Sequence, residues 1–237
     1  MSIKTRVNKI TNALHHTLSD CPLCNSPYDI ASIKSGLPFC TACKEKIEES
    51  LIKNDKNAER GVVIMYKRYP VYSLFKYELK ARDALNYFKS EGNINASEFF
   101  SNYLNRWLSN HIFRDDNTII VPLPSSKSGL KNRGFDQCIE VLRRTDVPFF
   151  NLFELAKRST HEQKRLSSKD RRKEASGKFR LVDDATNIIN NAENIIVFDD
   201  VITTGSSIRE CIKLLTELKA KANIIGLTLY SEDLLLQ

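Results

Sequence analysis

Residues 194–200 read Asn-Ile-Ile-Val-Phe-Asp-Asp and residues 201–207 read Val-Ile-Thr-Thr-Gly-Ser-Ser. An amphipathic stretch follows over 206–219, with Ile208, Ile212, Leu215 and Leu218 on one face, and a second apolar run, Asn-Ile-Ile-Gly-Leu-Thr-Leu-Tyr, occupies 223–230. Strands without polar alternation are covered on both faces, and two of them joined by an amphipathic helix form a parallel, right-handed βαβ unit. A third such run, ended by proline, lies at 118–124. The pattern predicts an α/β fold with a parallel sheet, whose ligands sit beyond the carboxyl ends of the strands.

Asp199 and Asp200 stand at such an end, which on this reading is an exposed position. Residues Thr203, Thr204, Gly205, Ser206 and Ser207 form a turn of small residues at a helix start. Unpaired N–H groups and the positive end of the helix dipole make that turn a phosphate cradle. Gly205 permits a close backbone approach or a positive φ. Ionised carboxylates only accept hydrogen bonds. The acidic pair therefore repels phosphate but suits a sugar diol or a hydrated Mg2+. Cradle and pair together describe a site for a phosphorylated sugar. The P-loop pattern and the dinucleotide fingerprint are both absent. The bland alternative is a capped helix preceded by a polar turn.

Four of the six cysteines are Cys21, Cys24, Cys40 and Cys43, two C-x2-C pairs separated by fifteen residues. Each pair places two thiolates on one turn, and two turns supply the closed tetrahedral set of a structural Zn2+ site. Disulfides are the alternative, disfavoured in a cytoplasmic chain. His15 and His16 read as helix-surface residues, because four thiolates already fill the site. Cys138 and Cys211, in helix-like stretches, read as small buried hydrophobes. Val7, Ile10, Leu14 and Leu18 predict a short helix before the cysteines, residues 44–53 a charged helix after them, and Asn54 to Asn57 a boundary.

The middle of the chain predicts a hairpin over 61–77, then helices over 79–90 and 96–112. Trp107 falls at helical spacing with Phe100, Tyr103 and Leu104, as a core residue does; a base-stacking platform is the alternative. At roughly 150 residues per domain, 237 residues allow one domain and most of a second. The expected division is a zinc-binding part over 1–56 and an α/β part over 57–237. No charge-free run exceeds ten residues, so no membrane span is expected, and with no apolar stretch near Met1 the cytoplasm is the expected location.

The loop Asp199-Asp200-Val201-Ile202-Thr203-Thr204-Gly205 resembles the phosphoribosyl-pyrophosphate (PRPP) motif of type I phosphoribosyltransferases. Val121 to Pro124, Phe88-Lys89, Arg133-Gly134-Phe135-Asp136-Gln137, and Gln163, Leu166, Arg171 and Phe179 resemble further elements of the ComF family, associated with bacterial natural competence. Asp136 and Glu174 stand where that family has Asn. The resemblance implies a phosphoribosyltransferase-like domain preceded by a small four-cysteine zinc-binding domain. It implies that Asp199 and Asp200 hold ribose hydroxyls and that residues 203–207 hold the 5′-phosphate. It places pyrophosphate, bridged by Mg2+, at the loop after Pro124, with Ser125, Ser126, Lys127 and Arg133. The implied partners are PRPP or a related phosphorylated sugar, single-stranded DNA, and a helicase-like competence protein.

The formal charge is +7, and residues 157–173 hold eight basic and two acidic side chains. Lys164, Arg165, Lys169, Arg171, Arg172 and Lys173 belong to this segment. It reads as a lid over pyrophosphate, as a contact for a nucleic-acid backbone, or as a solvated loop. Two functions therefore stay open. One is a PRPP-binding factor that handles incoming DNA in natural transformation. The other is a working phosphoribosyltransferase acting on an unknown acceptor.

Overall fold

The computed structural model describes residues 20–52, 62–90, 92–111, 117–156, 177–218 and 221–232. The expected helix over 7–18, the boundary at 54–57 and the basic segment over 157–173 lie outside them, as does Glu174.

A five-stranded sheet has the order β1-β2-β7-β6-β3. Its strands are β1 (Val62–Tyr66), β2 (Tyr69–Lys76), β3 (Thr118–Pro122), β6 (Asn194–Ile202) and β7 (Asn223–Ser231). The four strands from β2 to β3 pair in parallel, and β1 adds an antiparallel edge. The hairpin expected over 61–77 is thus real, but β2 pairs with β7 as well as with β1. A second pair, β4 (Phe153–Leu155) and β5 (Phe179–Leu181), is antiparallel.

Period-two alternation sorts the buried strand residues onto two faces. Ile196, Phe198, Ile225 and Leu227 face α3 (Leu79–Ser90), α4 (Ala96–Asn110) and α6 (Gln137–Leu142). Ile195, Val197 and Ile224 face α7 (Ala185–Asn191) and α8 (Ser206–Glu217). Between α5 (Lys127–Arg133) and α6, Phe135 packs on Phe88. Helix α8 comes close to the sheet because position 226 is glycine. A Cβ there would stand 2.9 Å from both Val71 methyls and 3.0 Å from Ile208. Cys138 and Cys211 are buried, as expected.

The cysteine segment folds as α1 (Ile30–Ser35) and α2 (Thr41–Glu48). The charged helix expected over 44–53 begins earlier, because the Cys40 side chain caps it by accepting from the Cys43 N–H. Asp29 ties the two helices together. It caps α1 through Ser32 and accepts from the Thr41 N–H at 3.0 Å and the Thr41 hydroxyl at 2.9 Å. Those bonds hold its carboxyl well below the usual carboxylate range. Phe39 inserts between Phe99 and Tyr87, with ring centroids 5.1 and 5.9 Å away. Cys21, Cys40 and Cys43 therefore belong to the same core cluster as α3 and α4.

Candidate functional site

The phosphate-type loop lies between β6 and α8. Gly205 caps α8 in the left-handed conformation, at φ +72°, and its carbonyl accepts from the Arg209 N–H at 2.9 Å. Thr203 and Thr204 are exposed. The Thr204 hydroxyl donates to Ser206 Oγ at 3.1 Å. Asp199 and residues 201–208 line a small open cleft of about 230 Å³. Lys178, just ahead of β5, adds a cation here, since its Nζ lies 3.1 Å from Ser207 Oγ. Nothing in the sequence distinguished Lys178 from other exposed lysines.

The acidic pair departs from expectation in its setting. Strand β6 runs on to Ile202, so both carboxylates lie within it rather than at an exposed end. Asp200 is only 6% exposed and Asp199 is half-buried. Alternation along the strand sends the two side chains to opposite faces. Asp199 lines the cleft at the start of α8, whereas Asp200 turns toward α3 and α6. There Lys89 Nζ stands 2.6 Å from Asp200 Oδ2, and Gln137 Nε2 donates to the same oxygen at 2.5 Å.

Burial, and after it the negative charge of Asp200, push the Asp199 carboxyl up from 3.8 to about 8. Asp199 thus binds a proton in the fold at pH values where the unfolded chain has lost it. Ligand-free stability is therefore expected to fall as pH rises from about 4 to about 8. Asp199→Asn should flatten that slope in urea titrations run across the same range.

Gln137 extends the site further. Ser125 Oγ donates to Gln137 Oε1 at 3.4 Å, and the Arg133 guanidinium donates to Ser125 Oγ at 3.4 Å. A hydrogen-bonded chain thus joins Asp200 to the loop after β3. Ser126 and Lys127 are exposed at the start of α5, where the Ser126 side chain caps the helix by accepting from the Gly129 N–H. The structure brings Ser125 and Arg133 to the network and leaves Ser126 and Lys127 at its rim. Asp136 caps α6 by accepting from the Ile139 N–H at 3.1 Å. Asn serves as well at an N-cap, so this departure from the ComF pattern keeps the cap. Lys164, Arg165, Lys169, Arg171, Arg172 and Lys173 lie outside the described residues.

The sulfurs of Cys21, Cys24, Cys40 and Cys43 lie within 4.8 Å of one another and can hold one metal ion. Cys24 and Cys40 Sγ are 3.6 Å apart, beyond any disulfide and near the ~3.8 Å edge of a tetrahedron with Zn–S bonds of about 2.3 Å. The backbone N–H groups of Cys40 and Cys43 point at Cys21 and Cys40 Sγ. Burial and the neighbouring sulfurs push the Cys43 thiol up, so four thiolates here need a cation between them. The donor set fits zinc in a structural role. Lys80 of α3 donates to the Leu23 carbonyl inside the first C-x2-C turn at 2.7 Å. Trp107 is 5% exposed, stacked on His111 and tilted against Tyr72, so its ring is core and not a base platform.

No protein-family profile matches the chain. Competence protein ComFC of Bacillus subtilis is 23% identical over 231 residues, which are 96% of this chain and 82% of that protein. The chain is similar to competence proteins named ComFC and ComF. ComFC of Streptococcus pneumoniae is 27% identical over 149 residues, 63% of either chain. Competence protein F of Haemophilus influenzae is 32% identical over 103 residues, 42% of this chain and 44% of that one. Among solved structures, a hypoxanthine phosphoribosyltransferase from Staphylococcus aureus is 15% identical, with a TM-score of 0.33 over 58% of this chain and 65% of its own. That overlap is too loose to inform the site. The mostly parallel sheet, with the four-cysteine cluster ahead of it, rests on the topology itself.

Proposed function

We propose that the protein binds PRPP together with Mg2+ and acts in natural competence, handling incoming single-stranded DNA in the cytoplasm, with a helicase-like protein as partner. The carrying observation is one cleft that combines Asp199, the Thr203-Thr204-Gly205 turn and the start of α8. Helix-start N–H groups and Lys178 suit the 5′-phosphate, and the Asp199 carboxyl in the same cleft, four residues before Thr203, suits the ribose hydroxyls. Mg2+ enters with the diphosphate as its counter-ion. Competence rests on the relatives' names, and DNA on that and on the charge of residues 157–173.

A second reading has one observation in its favour. The chain Asp200–Gln137–Ser125–Arg133 runs from the acidic pair to a cation, where a departing diphosphate would need one. On that reading the bond from ribose C1 to the diphosphate oxygen breaks, an acceptor bonds to C1, and pyrophosphate leaves.

Calorimetric titrations of PRPP-Mg2+ and of single-stranded DNA on the same sample test the proposal. Asp199→Asn is expected to weaken PRPP binding at least tenfold and leave DNA binding unchanged. Reversing Arg171, Arg172 and Lys173 to Glu is expected to weaken DNA binding and reduce its salt dependence, since fewer counter-ions are released. Absence of heat with PRPP refutes the sugar-phosphate site. Pyrophosphate release with a defined acceptor establishes the transferase.

A further inference from the structure

Asp200 is an aspartate buried in the last part of a strand, facing away from the phosphate cleft. A buried carboxylate needs a partner, and removing that partner is costly. The partner here is Lys89, from an element that carries none of the other candidate ligand contacts. Its Nζ is 2.6 Å from Asp200 Oδ2, with the two side chains 25% and 9% exposed. Gln137 completes the clamp on the same oxygen at 2.5 Å.

Both clamping residues are set by one aromatic cluster. Phe88, next to Lys89, is fully buried, with its ring 5.4 Å from Phe100 and 5.5 Å from Phe135. Phe135 lies two residues before Gln137. Packing of α3 against the α5–α6 turn therefore brings ammonium and amide to Asp200 together.

Building on the sugar-phosphate reading, we propose that Lys89 is a positioning residue for the acidic pair. With Gln137 it holds the Asp200 carboxylate in place, and through that contact it keeps a positive charge beside Asp199, the adjacent residue of the strand. Several groups act on Asp199 from different elements. Burial first and then Asp200, next on its strand, raise its affinity for protons, whereas the Asp200 N–H, Lys89 of α3 on the other face and Lys178 from ahead of β5 lower it. The nearby thiols of Cys138 on α6 and Cys211 on α8 are pushed up by burial and stay neutral.

The test compares Lys89→Met and Lys89→Arg in the full chain with two readouts. The first is the titration of the Asp199 carboxyl carbon by NMR in ligand-free protein. Lys89→Met should move its midpoint to higher pH, and Lys89→Arg should leave it in place. The second is the Kd for PRPP-Mg2+. Losing a charge-assisted contact should weaken it about tenfold in Lys89→Met, with Arg restoring it. Lys89→Gln replaces Lys89→Met if the latter does not fold. Wild-type Asp199 titration and affinity in Lys89→Met overturn the proposal. So does an equal loss of affinity in Met and Arg variants with Asp199 unmoved, which marks a merely structural lysine. If the unaltered protein binds no PRPP, the sugar-phosphate reading fails, and the ligand-free titration alone decides for or against Lys89.

Discussion

Cys43→Ser is expected to cost the protein the metal ion its four-cysteine cluster can hold, and with it the packing of the cysteine segment against α3 and α4. Cys21, Cys40 and Cys43 are 0%, 3% and 2% exposed and share a core cluster with Phe39, Phe88 and Phe99. Helices α1 and α2 have six and eight residues, too short to persist without tertiary support. Structural zinc in small peptides contributes about 10–16 kcal/mol at neutral pH. Whole proteins are stable by about 5–15 kcal/mol. Even a fraction of the metal's contribution is therefore decisive here. Without it α1 and α2 separate, and Phe39 is withdrawn from Phe99 and Tyr87. Cys24 is the exposed ligand, so Cys24→Ser should weaken metal binding with a smaller loss of stability. Elemental analysis should give about one zinc per chain in fresh, reduced protein. Melting scans should place Cys43→Ser at least ten degrees below wild type, since each kcal/mol shifts Tm by about 2–4 °C at this size. Zinc-free protein with an unchanged Tm would rule the reading out.

What the sequence disclosed was whatever local pattern carries. Apolar runs at 194–200 and 223–230 around an amphipathic stretch are enough to specify β6, α8 and β7, because each strand is buried whatever its neighbours are. The cysteine spacing discloses the metal cluster for the same reason. Partnership across the chain was not legible. That β2 pairs with β7 as well as with β1 depends on the order of the whole sheet. Phe88-Lys89 is visible as a motif, but its partner Asp200 is not, until α3 packs beside β6. Asp29 carries no signal in the sequence, because its role depends on α2 starting beside it. Even the acidic pair, conspicuous in sequence, concealed its asymmetry. Only the continuation of β6 to Ile202 separates Asp199, in the cleft, from Asp200, clamped on the other side.

That asymmetry makes Gly205 the residue on which the cleft depends most. Its φ of +72° lies in the left-handed region, where a β-branched side chain is a genuine outlier. A Cβ there would also meet Ile64 Cδ1 at 3.1 Å and Ile202 Cδ1 at 3.3 Å, with no open space to take it. Gly205→Val must therefore either bear the strain, about 1–3 kcal/mol for such a conformation, or turn φ negative. Turning φ swings the first N–H groups of α8 away from the cleft. The loop then loses both its donors and the aim of the helix dipole. Ligand-free Tm should fall by several degrees, and the rise in Tm expected with PRPP-Mg2+ on the proposed function should vanish. Gly205→Ala should fall between, since it adds the same Cβ without the branch. The two readouts separate cause from consequence. A variant that melts early yet still gains the full wild-type rise with PRPP-Mg2+ would put the phosphate somewhere other than the start of α8.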